Sequence, residues 1–409
     1  MAKTLWGNVY FKDVYAGRLE EKPGGRYVFT YDASYLDDKK PAIAHTLPLH
    51  PKPYISESGL HPFFDNLVAE GWLCNAQARA LGIAPSDRFA LMLGFGHDLA
   101  GAVSVVDPDP QAHHKPDHTD EATLAALMAK ASLSGIQRKL LVVKDGKQFR
   151  PTVGNELSTH IAKLPSGNLN SLLELEYLTT IAIRTLLPND KVVDMELMHL
   201  SSINEDALII PRFDRTPAGK RLHHFEEFNQ LLGHSSGEKY NGGYEEMGQF
   251  ILNSPNCIPA EADILLKRIL ACLMVGNTDA HFKNFAMFHT ADGLRLTPSY
   301  DLVASSFYRE YPFIALQVCG IKDLSIGKLE AKHLLEMGKG FNMSGDEILE
   351  MIDLFNKRLP KAQSAIEKSR IGSRELKNQL QKQMEKRWNG CFKLIGPLLS
   401  KRQSKGEKD

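Results

Sequence analysis

Apolar residues recur along this chain with two different periods, and the change from one to the other organises it. Between residues 5 and 31 the segments LWGNVYFKD, VYAGRLEE and YVFTY read as short strands, separated by turn chemistry at Lys12-Asp13 and Pro23-Gly24-Gly25. HPFFDNLVAEGWLCNAQARALG, residues 61–82, takes helical spacing and ends on Gly82, and GAVSVVDP returns to a strand. DPDPQAHHKPDHTDE, residues 107–121, has no apolar period and is the predicted linker. Beyond it come a helical ATLAALMAKA, a Gly-containing turn in ASLSGIQRK, the strand LLVV, a Lys-Asp-Gly turn into a second strand, the strand in STHIAKLP and the long amphipathic helix LNSLLELEYLTTIAIRTLL. After DALIIPRFDR the pattern is almost wholly helical, through HHFEEFNQLL, YEEMGQFILN and AEADILLKRILACLMVG, until the polar tail KRQSKGEKD.

Strands first and helices later is α+β order. It divides the chain into a β-rich subdomain over 1–107, a mixed region over 122–215, a helical region over 216–400 and a disordered tail over 401–409. Composition narrows the function. The 409 residues carry 49 Lys plus Arg against 49 Asp plus Glu, so the chain has no overall electrostatic pull toward nucleic acid or an anionic membrane. The N-terminus lacks an apolar leader, no run is long enough to span a bilayer, and a cytoplasmic protein is expected. Five scattered cysteines, without C-x-x-C spacing, point to neither a disulfide framework nor a zinc site. His113, His114 and His118 in the linker, and the pair His223-His224, lack metal-binding spacing.

The chemistry concentrates in GNTDAHFKNFAMF, residues 276–288, and in PSYDL, residues 298–302. A helix ending at Gly276 puts Asp279 in the following loop. Asn284 opens a strand, Asp292-Gly293 turns it, LRLT returns, and Asp301 follows. Two carboxylates and an amide then converge at one end of a ribbon, a hard oxygen set suited to Mg²⁺ bridging phosphates. The step from Asp279 to Asn284 is D-x-x-x-x-N, the catalytic-loop spacing of protein kinases: Asp279 is the expected base, with Asn284 and Asp301 as metal ligands. A phosphotransferase also needs a lysine for the nucleotide phosphates. Lys163 ends an apolar strand, and Glu176 on the next helix is its natural counter-charge, with Glu174 as rival. Lys283, in preference to His281, is the candidate to neutralise charge on the transferred group.

SLSGIQRK, THIAKLP, PRFDR, GNTDAHFKNF and PSYDL, in that order, resemble the HipA-type serine/threonine kinases, toxins of bacterial toxin–antitoxin modules, and so does GLHPFFDNLVAEGW nearer the N-terminus. The resemblance implies a protein-kinase-like two-lobed fold, ATP and Mg²⁺ as cofactors, and a helix-turn-helix antitoxin of the HipB kind that carries most of any operator DNA contact. It implies as substrate an aminoacyl-tRNA synthetase such as the glutamyl enzyme. It also assigns PRFDR as the hinge to adenine: Pro211 accepts through its carbonyl, Phe213 donates through its N–H, and Asp214 holds the ribose. Gly135 and Gln137 fall in the phosphate loop. Ser132 and Ser134, just before or within it, are the candidates for inactivating autophosphorylation, since a dianionic phosphate beside bound ATP would repel it. Two rival readings remain, a silent kinase-like scaffold serving as antitoxin corepressor and a small-molecule kinase.

Overall fold

The structure, a computed structural model, describes residues 5–36, 40–110, 120–132 and 137–406. The chain forms two compact units, Met1–Gly167 with Asp194–Glu238, and Asn168–Val193 with Lys239–Asp409.

The first unit holds two antiparallel five-stranded sheets. In one, β1 (Trp6–Phe11), β2 (Val14–Lys22), β3 (Arg26–Tyr31), β4 (Tyr54–Ser56) and β5 (Val103–Val106) lie in the order β4-β3-β2-β1-β5. Lys12 and Asp13 join β1 to β2 with φ of 47° and 66°, the mirror-image turn that matches strand twist. In the other, β6 (Lys139–Asp145), β7 (Gln148–Pro151), β8 (His160–Lys163), β9 (Glu196–Leu200) and β10 (Glu205–Pro211) lie in the order β7-β6-β8-β10-β9. A single apolar core from Val9 to Ile209 runs beneath both sheets. Helices α1 (Pro62–Asp65), α2 (Gly71–Leu81), α3 (Arg88–Phe95) and α4 (Glu121–Met128) complete the unit with the short β11 (Phe225–Glu227) and α6 (Phe228–Leu231).

Two expectations change here. The helix predicted over 61–82 breaks at its middle, where Gly71 takes φ 56°. HHFEEFNQLL is strand and then one helical turn, because Glu226 is buried and accepts the His45 N–H at 2.6 Å. The subdomain expected over 1–107 has its own sheet, in which β5 pairs with β1, and it shares a compact unit with the strands up to Lys163.

The second unit is helical, with α5 (Leu172–Leu186), α7 (Tyr244–Asn253), α8 (Glu261–Val275), α9 (Ala331–Gly340), α10 (Gly345–Lys368), α11 (Arg374–Gly390) and α12 (Ile395–Gly406) around the hairpin β12 (Ala286–Thr290) and β13 (Gly293–Leu296). Helix α5, expected to belong with the mixed region, packs instead against α10 in this unit. Helix α8 is apolar on nearly every side and lies at the centre, with Leu265, Leu266, Ile269, Leu270 and Leu273 fully buried. Ser344 and Glu347 start α10 with a reciprocal capping box, Glu347 N–H to Ser344 Oγ at 3.2 Å and Ser344 N–H to Glu347 Oε2 at 2.7 Å. The tail expected to be disordered from 401 is helical to Gly406. Among the described residues no helix is long and apolar enough to cross a membrane.

Candidate active site

The centre of the second unit is built from the end of α8. Gly276 closes that helix in the left-handed conformation, φ 87°, and a Cβ there would lie 2.3 Å from Ser306 Oγ. Arg387, on α11, seals the same end by donating to the carbonyls of Met274 and Val275 at 2.7 and 2.6 Å. Its burial pushes the guanidinium pKa down to about 10, so the helix end is held by a cation removed from water.

With the helix end fixed, the next three residues are placed by side chains. Ser305 Oγ accepts from the Thr278 and Asp279 N–H groups at 2.8 and 3.0 Å, and Asn277 Oδ1 also accepts from Asp279 N–H at 3.1 Å. Asp279 itself is exposed, and its Oδ1 accepts the Tyr240 hydroxyl at 2.9 Å. His281 N–H donates to the Asp279 carbonyl at 2.9 Å and to Asn284 Oδ1 at 2.9 Å. Asn284 Nδ2 in turn donates to Asp301 Oδ2 at 2.7 Å.

The hairpin spans the gap between those last two residues as the turn signal predicts. Met287 pairs with Leu296 and Thr290 with Gly293, so the chain folds back on itself between Asn284 and Asp301, 17 positions apart. Arg268 anchors the exit strand by donating to the Thr297 carbonyl at 2.7 Å while it pairs with both oxygens of Asp190. Asp301 then adopts φ 56°, the left-handed region that aspartate enters more readily than most non-glycine residues, and this turns the chain at the carboxylate. Tyr300 donates to the Lys283 carbonyl at 2.7 Å, and the Lys283 side chain is buried.

Asn284 and Asp301 are neighbours, joined here through the Asn284 amide N–H rather than its carbonyl oxygen. A carboxylate and an amide carbonyl are the hard donors that Mg²⁺ accepts. The Asn284 carbonyl takes one N–H from His281 and keeps a second lone pair. The residues fit the ion on these grounds. Asp279, Asn284, Asp301 and Lys283, predicted together, all lie within this one network of loops. Ser305, Tyr240 and Arg387 were not predicted. A serine four residues past Asp301 and a tyrosine before Asn241-Gly242-Gly243 were the available signals, each common elsewhere in any chain.

Of the residues expected at the nucleotide, all but Glu176 fall in the first unit. Lys163 ends the central strand β8, opposite Leu208 and Lys139, and is 5% exposed. Glu176, on α5 of the second unit, is fully buried. Pro211 ends β10 and is exposed, and the Phe213 ring meets Phe225 edge-on at 5.0 Å. Gln137 Nε2 donates to the Leu164 carbonyl at 3.3 Å. Ser132 is 2% exposed and its N–H donates to the Asp98 carbonyl at 3.2 Å, whereas Ser134 and Gly135 lie outside the described residues.

Asp214 departs from expectation. Its Oδ1 accepts from Arg212 Nε at 2.9 Å, and its Oδ2 from Arg212 Nη2, Arg215 Nη1 and the Gly101 N–H at 2.6, 2.8 and 2.9 Å. Asp98 completes a neutral quartet, accepting from both arginines and from Ser158 N–H and Oγ. Burial alone would raise both carboxyls, and the guanidinium charges outweigh it and hold them below the usual range. A carboxylate 3% exposed, with both oxygens taken, is not offered to a ribose, and that role is withdrawn.

The family model described as HipA-like C-terminal domain matches residues 131–363, and that described as HipA N-terminal domain matches 7–106. The chain belongs to the HipA family. Its relatives include the proposed kinase Y4dM of Sinorhizobium fredii, 30% identical over 311 residues, which cover 70% of this chain and 74% of that protein. They also include the serine/threonine-protein kinase toxin HipA of Shewanella oneidensis, 26% identical over 345 residues, or 76% of this chain and 77% of the toxin. HipA from Shewanella oneidensis MR-1, solved with HipB and operator DNA, shares the fold with a TM-score of 0.77 at 21% identity, over 95% of this chain and 99% of that one. The α+β kinase-like HipA fold is therefore the fold of this chain.

Proposed function

We propose that this HipA-family chain is an ATP-dependent serine/threonine protein kinase acting as the toxin of a toxin–antitoxin module. The observation that carries the reading is the second unit's loop network: an exposed Asp279 on the loop whose Asn284 touches Asp301 at 2.7 Å. ATP with Mg²⁺ supplies the transferable phosphoryl group and screens its charge. Asn284 and Asp301 are the residues to hold the cation, and Lys163, supported by Glu176, the residue to orient the phosphates. Pro211 and Phe213 would meet adenine through their backbones, with Gly135 and Gln137 at the phosphates. Asp279 accepts the proton of the acceptor hydroxyl on Oδ1, and Lys283 sits close in the chain to offset developing charge. The base needs no strong basicity here, because positioning and electrostatics carry most of a phosphoryl transfer.

The named relatives support the toxin reading, and the Shewanella complex supports an antitoxin like HipB as partner. With no net charge of its own, this chain would leave most of the phosphate neutralisation on an operator to that partner. The substrate proposed is an aminoacyl-tRNA synthetase such as the glutamyl enzyme, whose modification would stop translation. Autophosphorylation of Ser132 or Ser134 would switch the kinase off. Because Ser132 is buried, its modification requires that segment to leave its seat beside Asp98.

The test is incubation of the dephosphorylated chain with labelled ATP, Mg²⁺ and candidate synthetases, with Asp279→Asn alongside, and mapping of the label. Label on a synthetase or on Ser132 or Ser134, lost in Asp279→Asn, is the expected result. No label on any protein would replace the kinase by the silent scaffold.

A further inference from the structure

Tyr240 stands where an acceptor has to stand. Its hydroxyl donates to Asp279 Oδ1 at 2.9 Å, within the 2.6–3.2 Å that a general base needs from the proton it takes. The residue is 39% exposed and forms part of the wall of a cavity of about 300 Å³ that also includes Asp279, Asn241, Tyr311, Phe313 and Lys322. The phenol therefore lies between the base and the open groove from which a polypeptide hydroxyl would arrive.

The backbone on both sides of Tyr240 is fastened to the catalytic loop and to the far wall of the groove. The Lys239 carbonyl accepts from Phe282 N–H at 3.3 Å, and the Gly242 carbonyl from Gln317 N–H at 2.8 Å. The buried Tyr244 hydroxyl donates to the Ala280 carbonyl at 2.9 Å. A Cβ on Gly242 would lie 2.7 Å from Phe282 Cζ, so the segment is pressed against that loop. The Tyr240 ring meets the His281 ring edge-on at 4.9 Å. The anchoring fixes the backbone on both sides of the ring, which leaves rotation about the side-chain bonds as the way for the hydroxyl to leave Asp279.

We propose that Tyr240 selects the acceptor: its hydroxyl occupies Asp279 Oδ1 in place of water, and a seryl or threonyl hydroxyl on a bound polypeptide displaces it. The proposal rests on the kinase reading. In transfer, the acceptor oxygen bonds to the γ-phosphorus of ATP, the bond to ADP breaks, and the hydroxyl proton passes to Asp279. Hydrolysis is the same exchange with a water oxygen, and yields ADP and inorganic phosphate. A water molecule has no chain with which to hold the groove, whereas a bound polypeptide has, and its contacts offset the loss of the Tyr240 bond. The phenol thus taxes water more than it taxes a protein acceptor.

The experiment measures inorganic phosphate released from ATP and Mg²⁺, and label incorporated into protein, for the full chain, Tyr240→Phe and Asp279→Asn. Phenylalanine keeps the ring and removes the hydroxyl, and thermal unfolding checks that the fold is unchanged. Expected is a rise in phosphate release of about 5-fold in Tyr240→Phe, the factor one ordinary hydrogen bond is worth, with KM for ATP unchanged and the ratio of release to incorporation raised. Release unchanged, or release and incorporation falling together, overturns the selector and makes Tyr240 a positioning residue, while the kinase reading survives as long as Asp279→Asn is inactive. Turnover that persists in Asp279→Asn overturns both.

Discussion

Asp98 and Asp214 in the first unit and Asp279 and Asp301 in the second are two pairs of aspartates in similar polar company, yet their settings are opposed. Asp98 and Asp214 are buried against Arg212 and Arg215, charge for charge, with each oxygen accepting at least one donor. Asp279 is exposed, and Asp301 lies on a left-handed backbone with its Oδ2 accepting from the Asn284 amide. A carboxylate whose charge the chain has already neutralised holds structure together. One at a loop end, within reach of an outside cation or proton, is placed for chemistry, and the left-handed backbone at Asp301 belongs with that second kind.

The comparison breaks most visibly on the buried side. Asp98→Asn leaves two buried guanidinium groups facing one carboxylate, which costs about 3–5 kcal/mol of stability. Chemical denaturation should show that loss, while phosphotransfer per folded molecule stays near normal. A loss under about 1 kcal/mol would mean the quartet is not the anchor described. The converse change is Asp301→Asn. Asparagine accepts the left-handed backbone and can still receive the Asn284 N–H, so unfolding should move little. Transfer should fall on the order of 100-fold or more, about 2.7 kcal/mol in the barrier, because a metal-directed charge is gone. Retained transfer at saturating Mg²⁺ would remove Asp301 from the site.

Sequence reading did better on the second cluster than on the first, for a physical reason. Asp279, Asn284 and Asp301 lie within 23 positions and are joined by a helix stop, a turn and a hairpin, all local features with their own signatures. The β1-β2-β3 meander of the first unit follows the alternation and turn signals that residues 5–31 display. Asp98 lies more than 110 residues from Arg212, Asp214 and Arg215, and nothing local in PRFDR marks its aspartate as an ion-pair partner rather than a ribose ligand. Helix α5 was placed in the wrong company for a related cause. Its apolar face was plain, but period alone does not say which surface will cover it. Tyr240 escaped because its partner is 39 residues away and its own neighbours look like an ordinary glycine turn.

Acid sharpens the same contrast with a smaller effect. The folded Asp98 and Asp214 carboxyls titrate below their ordinary value of 3.8, so they bind fewer protons than the unfolded chain does. Their contribution is complete above that value and drains away as pH falls through it toward the folded value. The unfolding midpoint should therefore decline below about pH 4, and more shallowly in Asp214→Asn than in the unsubstituted chain. Equal slopes would show that other carboxylates govern acid stability.

The smallest change separates holding from acting within the site itself. Tyr300→Phe removes one hydroxyl, the donor to the Lys283 carbonyl, and leaves every charge and the Asp301 backbone in place. A net hydrogen bond of this kind contributes about 1 kcal/mol, so the unfolding free energy should drop by that much. If Lys283 acts on the transferred group, loosening its backbone should also lower kcat several-fold with KM for ATP unchanged, because the misplacement is felt only in the transition state. A loss of stability without any change in kcat would leave Lys283 as a buried structural lysine and return the developing charge to the cation held by Asn284 and Asp301.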